Sequence, residues 1–175
     1  MNDEELQRVR NEIRAAFPST QYYGPITACD CDECKEIREE LCNKRWDEIP
    51  TAFLDLTCSP TLLTPEAFRA FVAAYMIRGL DDSIGDRVVL EFTLYTLYPG
   101  LEPDETAKQV KETRLRERAK LMIPAQVHAI RSFLTFAVGI AENRELFRPM
   151  VGGALDSILV LVPPMRSRDP WLNWA

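Results

Sequence analysis

Glycine is scarce in this 175-residue sequence, with seven glycines against twelve prolines. So few glycines disfavour a β-meander, because the tight turns of hairpins depend on glycine. The sequence also has no glycine-rich phosphate loop, no dinucleotide-binding fingerprint and no His-Glu-x-x-His motif. The one histidine, His128, lies among polar residues at helical spacing, and we expect it to face solvent. The sequence therefore predicts no catalytic residues and disfavours an enzyme.

Long apolar runs are absent as well, since none approaches the roughly 20 residues that span a bilayer. The first residues are acidic and amphipathic, without the positive and apolar regions of a secretory signal. We therefore expect no membrane association and a cytoplasmic, reducing location. In that compartment cysteines are thiols or metal ligands more often than disulfides. The sequence has five cysteines: Cys29, Cys31, Cys34, Cys42 and Cys58.

Negative charge exceeds positive charge, and the excess lies in the first third of the chain. The net charge is −6, and residues 1–60 carry thirteen Asp and Glu against seven Lys and Arg. Nucleic-acid binding needs clustered cations, so this region has the wrong sign for it. The one locally basic stretch, 108–120, interleaves its cations with Glu112 and Glu117, which is typical of a solvated helix face. We expect no nucleic-acid partner.

Apolar residues recur at helical intervals along most of the chain. Hydrophobic residues make up 46% of the sequence and charged residues 27%, as in ordinary globular proteins. The periodicity predicts helices over 3–17, from 32, over 65–79, over 104–120 and from 124, with a short piece at 145–150. The stretch 155–162 is apolar enough to be buried. Residues 86–98 fit either a strand or a helix, and the helical neighbours favour a helix. The sequence predicts an all-α bundle of about six to seven helices, as one domain over 1–175 with a tail at 165–175.

The segment Cys29-Asp30-Cys31-Asp32-Glu33-Cys34 is the one local motif with metal-binding spacing. Two residues separate Cys31 from Cys34, which lets both sulfurs turn toward one zinc ion, and Cys29 can add a third ligand from an extended loop. The fourth ligand is open. Eight residues along a straight helix place Cys42 about 12 Å from Cys34, which is too far. Cys58, His128 or a carboxylate would then complete the site.

Two other interpretations of the cysteines remain at this point. A thiol at a helix N-terminus is activated by the helix dipole, which favours redox chemistry, although Asp30, Asp32 and Glu33 oppose a thiolate. Cysteine is also a small residue that buries readily, so the thiols can be purely structural. We interpret Cys42 and Cys58 as core residues.

The cysteine segment is the first of four short motifs whose order along the chain is informative. The order is Cys31-Asp32-Glu33-Cys34, Trp46-Asp47-Glu48-Ile49, Thr64-Pro65-Glu66-Ala67-Phe68, and Pro124-Ala125-Gln126 with Ile130-x-x-Phe133-Leu134. Over residues 5–140 the chain resembles a small bacterial family of unknown function with Cys-x-Glu-Cys, Trp-x-Glu and Pro-Glu-Ala-Phe motifs. The resemblance implies a cytoplasmic bacterial protein without an assigned activity. Cys29 lies outside its pattern.

The sequence thus leads to two functional hypotheses. The first is a non-enzymatic protein-binding module of immunity or regulatory type, whose acidic surface suits a basic protein partner. Its candidate partner-binding residues are Asp30, Asp32, Glu33, Glu36, Glu39 and Glu40. The alternative is a small zinc-binding or thiol-redox protein centred on Cys29, Cys31 and Cys34. Zinc is the one cofactor that the sequence suggests.

Overall fold

A computed structural model of the chain describes residues 3–56, 60–81, 88–97 and 104–141, with the backbone alone at 88 and 138–141. These ranges contain seven α-helices, two short 3₁₀ turns and no β-sheet, which confirms the predicted all-α bundle. The helices are α1 (Asp3–Ala16), α2 (Asp32–Leu41), α3 (Thr51–Leu56), α4 (Pro65–Asp81), α5 (Val88–Leu97), α6 (Glu105–Leu121) and α7 (Pro124–Ala141). The first 3₁₀ turn is Trp46–Glu48 and the second is Pro60–Leu62.

Helix α4 lies at the centre of the bundle and packs against α1, α5 and α6. A helix that is apolar around most of its circumference must be covered by several neighbours, and most of α4 is buried. Its buried residues are Ala67, Phe68, Phe71, Val72, Ala73, Ala74, Tyr75, Met76, Gly79 and Leu80. The predicted start is confirmed, because the Thr64 hydroxyl accepts a hydrogen bond from the backbone N–H of Ala67 at 3.2 Å.

The predicted end of α4 at Gly79 is wrong, since the helix continues to Asp81. Gly79 is instead the point where α5 comes closest. A Cβ atom at this position would lie 3.3 Å from the Cα of Leu90. The glycine therefore permits close helix packing rather than ending the helix.

The ambiguous segment at 86–98 is helical over Val88–Leu97, as the neighbouring helices favoured. Four of its apolar residues point into the core: Val89, Leu90, Leu94 and Leu97. Helix α7 packs along α1. Val9 and Ile13 of α1 are fully buried there.

Trp46 fixes the end of the segment that follows α2. Its side chain is buried, and its indole N–H donates a hydrogen bond to the backbone carbonyl of Phe17 at 2.9 Å. A buried indole needs such a partner. Trp46 therefore anchors this segment against the core.

Several predictions fall outside the described residues. They concern Cys58, the short piece at 145–150, the burial of the apolar stretch 155–162, and the tail at 165–175. The extent of the single domain over 1–175 stays a prediction. Among the described helices, none combines the length and apolar character that crossing a bilayer requires.

Candidate metal-binding cysteine site

Three cysteine sulfurs converge at the beginning of α2. The Sγ atoms of Cys29, Cys31 and Cys34 all lie within 4.8 Å of one another, and those of Cys29 and Cys31 are 3.2 Å apart. Sulfur ligands of one tetrahedral zinc ion are about 3.8 Å apart, given a zinc–sulfur bond of about 2.3 Å. The predicted cluster therefore forms, with spacing that small side-chain rotations would adapt to an ion.

The start of α2 explains how this local sequence forms the cluster. Cys31 is the N-cap of α2, with extended backbone, and its carbonyl accepts the backbone N–H of Lys35 at 3.0 Å. One helical turn later Cys34 is fully buried, and it continues the buried stripe with Ile37 and Leu41. The helix thus presents one cysteine at its end and another on its inner face. Both sulfurs face the loop that carries Cys29.

Arg38 holds the loop that carries Cys29. Its Nη1 donates to the Thr27 hydroxyl at 2.9 Å and to the Cys29 carbonyl at 2.5 Å. Its Nη2 also lies 3.0 Å from a carboxylate oxygen of Asp30. Because one guanidinium binds three groups of the loop, the position of Cys29 relative to α2 is set by side-chain contacts.

Backbone contacts tie the preceding part of the loop to the beginning of α4. Thr27 forms an antiparallel β-bridge with Leu63. The backbone N–H of Thr64 donates to the carbonyl of Ile26 at 2.9 Å. The Thr64 hydroxyl also donates to the carbonyl of Pro25 at 2.7 Å. The cysteine loop is therefore attached at both sides, to α2 by Arg38 and to α4 by the backbone.

The thiols of Cys29 and Cys34 differ in how readily they lose their protons. A hydrogen bond donated by the Cys34 thiol, followed by those from the backbone and side chain of Cys31, lowers the pKa of Cys29. Burial, followed by the hydrogen bonds to Cys29 and Cys31, raises the pKa of Cys34 to about 12. The thiolate therefore forms first at the exposed Cys29, while Cys34 keeps its proton near neutral pH. A metal ion must displace that proton.

Neither Cys42 nor His128 joins the cluster in the part of the chain that the structure describes. Cys42 follows the last residue of α2 and is exposed, so its interpretation as a core residue is wrong. His128 lies on α7 with its side chain 62% exposed, as expected, and its Nε2 is 3.9 Å from a carboxylate oxygen of Glu12. The described residues thus supply three sulfur ligands.

The six candidate partner-binding carboxylates all lie at the surface, beside the cysteine cluster and on the outer side of α2. Three of them form ion pairs: Asp30 with Arg38, Asp32 with Lys35, and Glu40 with Lys44. The others, Glu33, Glu36 and Glu39, are exposed, and no cation of the described ranges pairs with them. The uncompensated negative charge of this surface is therefore concentrated on three glutamates.

Sequence reasoning missed Arg118, since the interpretation of 108–120 as a solvated face is wrong on the inner side of α6. Arg118 is only 4% exposed. Its Nη2 donates to the carbonyls of Pro60, Thr61 and Leu63 at 3.1, 3.0 and 3.0 Å. Its guanidinium also lies 4.3 Å from the centre of the Phe68 ring. These hydrogen bonds attach the second 3₁₀ turn to α6.

The spacing of apolar residues along α6 would have predicted that Arg118 faces the bundle. Residues at intervals of three or four form its inner stripe: Ala107, Lys111, Leu115, Arg118 and Met122. Three of the five are apolar, which indicates that the two cations on the same stripe also face the bundle. Burial, together with the nearby charge of Arg114, lowers the pKa of Arg118 to about 10.

The chain matches no protein-family model, no curated protein and no solved structure. The resemblance to the bacterial family of unknown function therefore stays a prediction. Functional inference consequently depends on the chemistry of the side chains.

Proposed function

We propose that this protein binds a zinc ion through Cys29, Cys31 and Cys34. The observation that carries the proposal is the convergence of the three sulfurs within 4.8 Å of one another. Thiolates are soft ligands, which select zinc and similar metals over magnesium or calcium. A three-sulfur cluster at this distance needs little rearrangement to become a coordination shell.

The surroundings of the cluster also support metal binding. Outer contacts that orient metal ligands contribute strongly to affinity, and Arg38 orients the loop of Cys29 in this way. The exposed Cys29 and Cys31 leave a route for the ion, while the buried Cys34 forms the floor of the site.

Zinc content is the direct test. The full chain is purified under reducing conditions, loaded with zinc, freed of excess ion and measured by elemental analysis. We expect close to one zinc per chain, because sites with thiolate ligands hold zinc tightly. The variants Cys31→Ser and Cys34→Ser should lose the ion. Cys42→Ser is the matched control, since it removes an exposed thiol outside the cluster.

Less than about 0.2 zinc per chain in the wild-type protein, or equal zinc in Cys31→Ser, would contradict the proposal. Cobalt in place of zinc adds a spectroscopic readout, because a sulfur-to-cobalt charge-transfer band requires thiolate ligation. The variant Cys58→Ser tests the fourth ligand separately. Its zinc content decides whether the fourth position is filled by that thiol or by another group.

A second candidate function is binding of a basic protein by the outer side of α2, as in immunity or regulatory proteins. Its support is the exposed set Glu33, Glu36 and Glu39, whose charges no described cation compensates. Such a surface accelerates association with a basic partner, and the effect weakens as salt is added.

The corresponding experiment compares two variants of equal net charge. Glu33, Glu36 and Glu39 are changed together to Gln in one of them, and Glu66, Glu91 and Glu117 in the other. These control glutamates are exposed on α4, α5 and α6. Proteins that copurify with the chain are identified by mass spectrometry. A basic partner lost only from the first variant supports the function, whereas equal retention by both variants removes its basis.

A further inference from the structure

The three sulfurs of the cysteine cluster are enough to hold an element that bonds to three thiols and needs no fourth ligand. The Sγ atoms of Cys29, Cys31 and Cys34 lie within 4.8 Å of one another, so one central atom can bond to all of them. Trivalent arsenic forms such bonds, because three covalent bonds and one lone pair fill its valence shell. A zinc ion, in contrast, takes four ligands. The cluster is therefore sufficient for trivalent arsenic, whichever group completes the zinc site.

The spacing of the sulfurs also suits a trivalent centre. The lone pair of trivalent arsenic pushes its three bonds together into a pyramid, so the sulfurs bound to it lie closer together than those around a tetrahedral ion. The Sγ atoms of Cys29 and Cys31 are 3.2 Å apart, which is less than the distance of about 3.8 Å expected around tetrahedral zinc. This pair of sulfurs thus has the shorter spacing of a pyramidal centre.

Electric charge distinguishes the arsenic complex from a zinc complex. Zinc held by three thiolates carries a net negative charge, whereas arsenic bonded to three sulfurs is neutral. The residues between the cysteines are Asp30, Asp32 and Glu33. Arg38 and Lys35 pair with the two aspartates, but Glu33 pairs with no cation of the described ranges. A neutral complex adds no further negative charge to this acidic segment, so it meets no repulsion there.

Access to the cluster favours a small uncharged ligand. Cys29 and Cys31 are exposed and Cys34 is buried, so the incoming molecule meets two thiols at the surface and the third below them. Arsenous acid, the form of trivalent arsenic in water near neutral pH, is small and uncharged. It can approach the buried sulfur without the cost of removing a charge from water.

We propose that the cysteine cluster binds trivalent arsenic, taken up as arsenous acid, through Cys29, Cys31 and Cys34. Each As–O bond is replaced by an As–S bond, and the thiol proton leaves with the released hydroxyl group as water. Three water molecules form, arsenic stays trivalent, and no oxidant or reductant takes part. Because its three sulfurs are those of the zinc site, the inference rests on the proposed function and extends it to a second ligand.

Sodium arsenite is the probe, added to the full chain after zinc has been removed with a chelator. Disulfides are first reduced with a phosphine, which brings no competing thiol. Three As–S bonds raise the intact mass by one arsenic atom less three hydrogens, whereas a two-thiol product keeps a hydroxyl group and is heavier. We expect one arsenic per chain with three bonds. Alkylation and peptide mapping should find Cys29, Cys31 and Cys34 protected.

Variants of the exposed thiols test the contribution of each sulfur without removing a buried residue. Cys29→Ser and Cys31→Ser should each weaken arsenite binding about a hundredfold, because a thiol held in the cluster acts at a high effective concentration. Competition with a dithiol of known arsenite affinity measures the change. Cys42→Ser is the matched control, since it removes an exposed thiol outside the cluster, and it should change binding by less than about twofold.

Three results would overturn the proposal: a two-thiol product, protection of Cys58 in place of a cluster residue, or equal weakening by Cys31→Ser and Cys42→Ser. Absence of the arsenic adduct at about 1 mM arsenite, a concentration at which even weak sites fill, would overturn it as well. The zinc content of the same preparations separates the two functions. Arsenic binding without zinc retention contradicts the zinc function alone, whereas zinc retention without an arsenic adduct contradicts the arsenic site alone.

Discussion

The cysteine site and the Arg118 contacts differ in how far along the chain their parts originate. All three thiols come from residues 29–34, and Arg38, which holds their loop, lies nine residues from Cys29. Arg118 binds carbonyls that lie 55 to 58 residues away in the sequence. The first arrangement follows from the start of one helix and the loop before it. The second exists only when α6 and the second 3₁₀ turn have met.

The two regions also differ in what they contribute to the folded state. Cys29 and Cys31 are exposed, so their substitution should disturb metal binding more than folding. Arg118 is buried against Phe68 and three carbonyls, so its loss should disturb folding directly. We therefore expect the two exposed thiols to matter for metal binding rather than for folding. The Arg118 region contributes an interaction on which the bundle depends.

The largest expected effect is that of Arg118→Met. Methionine keeps much of the side-chain volume but removes the guanidinium that donates to the carbonyls of Pro60, Thr61 and Leu63. We expect the free energy of unfolding to fall by about 3 kcal/mol, measured by urea denaturation. Arg116→Met, at an exposed position on the same helix, should change it by less than about 0.5 kcal/mol. Equal effects of the two variants would contradict the assigned role of Arg118.

Zinc affinity should rise steeply with pH. The pKa of Cys34 is raised to about 12, so its thiol is protonated near neutral pH and must lose that proton when the ion binds. Each displaced proton makes the affinity about tenfold higher per pH unit, so we expect at least that slope between pH 6.5 and 8. Competition with a chelator of known affinity measures it. A pH-independent affinity would show that Cys34 is not a ligand.

Arg38→Met should weaken zinc binding without abolishing it. The variant loses the hydrogen bonds to Thr27 and the Cys29 carbonyl, so the loop no longer holds Cys29 in place. Loss of such outer contacts typically reduces metal affinity about tenfold to a hundredfold, and we expect the lower value at this half-exposed position. Lys35→Met is the control, because Lys35 contacts Asp32 and no part of the Cys29 loop. An unchanged zinc affinity in Arg38→Met would show that Arg38 is not needed to hold Cys29 in place.

The smallest expected effect is on the metal-free stability of Cys31→Ser. Cys31 is the N-cap of α2 and makes no side-chain capping hydrogen bond, whereas serine is a favourable N-cap residue. We expect the zinc-free variant to be as stable as the wild type or more stable by about 0.5 kcal/mol, while it loses zinc. Destabilisation of the zinc-free variant by about 2 kcal/mol would show that the cluster belongs to the folding core.

The predictions that succeeded rest on patterns within single helices. The hydroxyl and proline at Thr64-Pro65 located the start of α4, and the spacing of Cys31 and Cys34 indicated that their sulfurs meet. Both depend on helix geometry, which is the same whatever surrounds the helix. The choice of a helix for 86–98 succeeded for a different reason, because it relied on the helical character of the neighbouring segments.

The predictions that failed required knowledge of neighbouring elements. Cysteine is a residue type that is usually buried, but Cys42 lies at the exposed end of α2. Glycine often ends a helix, but Gly79 faces α5, where a side chain would contact Leu90. The element that covers either residue, or leaves it uncovered, lies elsewhere in the chain, so the local sequence did not decide the exposure of these two residues.

The order of the amino acids alone determined the helical class, the start of each main helix and the grouping of the three thiols, since hydrogen bonding within a helix and ligand spacing act over a few residues. Tertiary structure alone decided which helices cover α4 and which backbone carbonyls bind the buried Arg118. Removal of a charge from water depends on which segments surround it, and those segments lie more than fifty residues away in the chain.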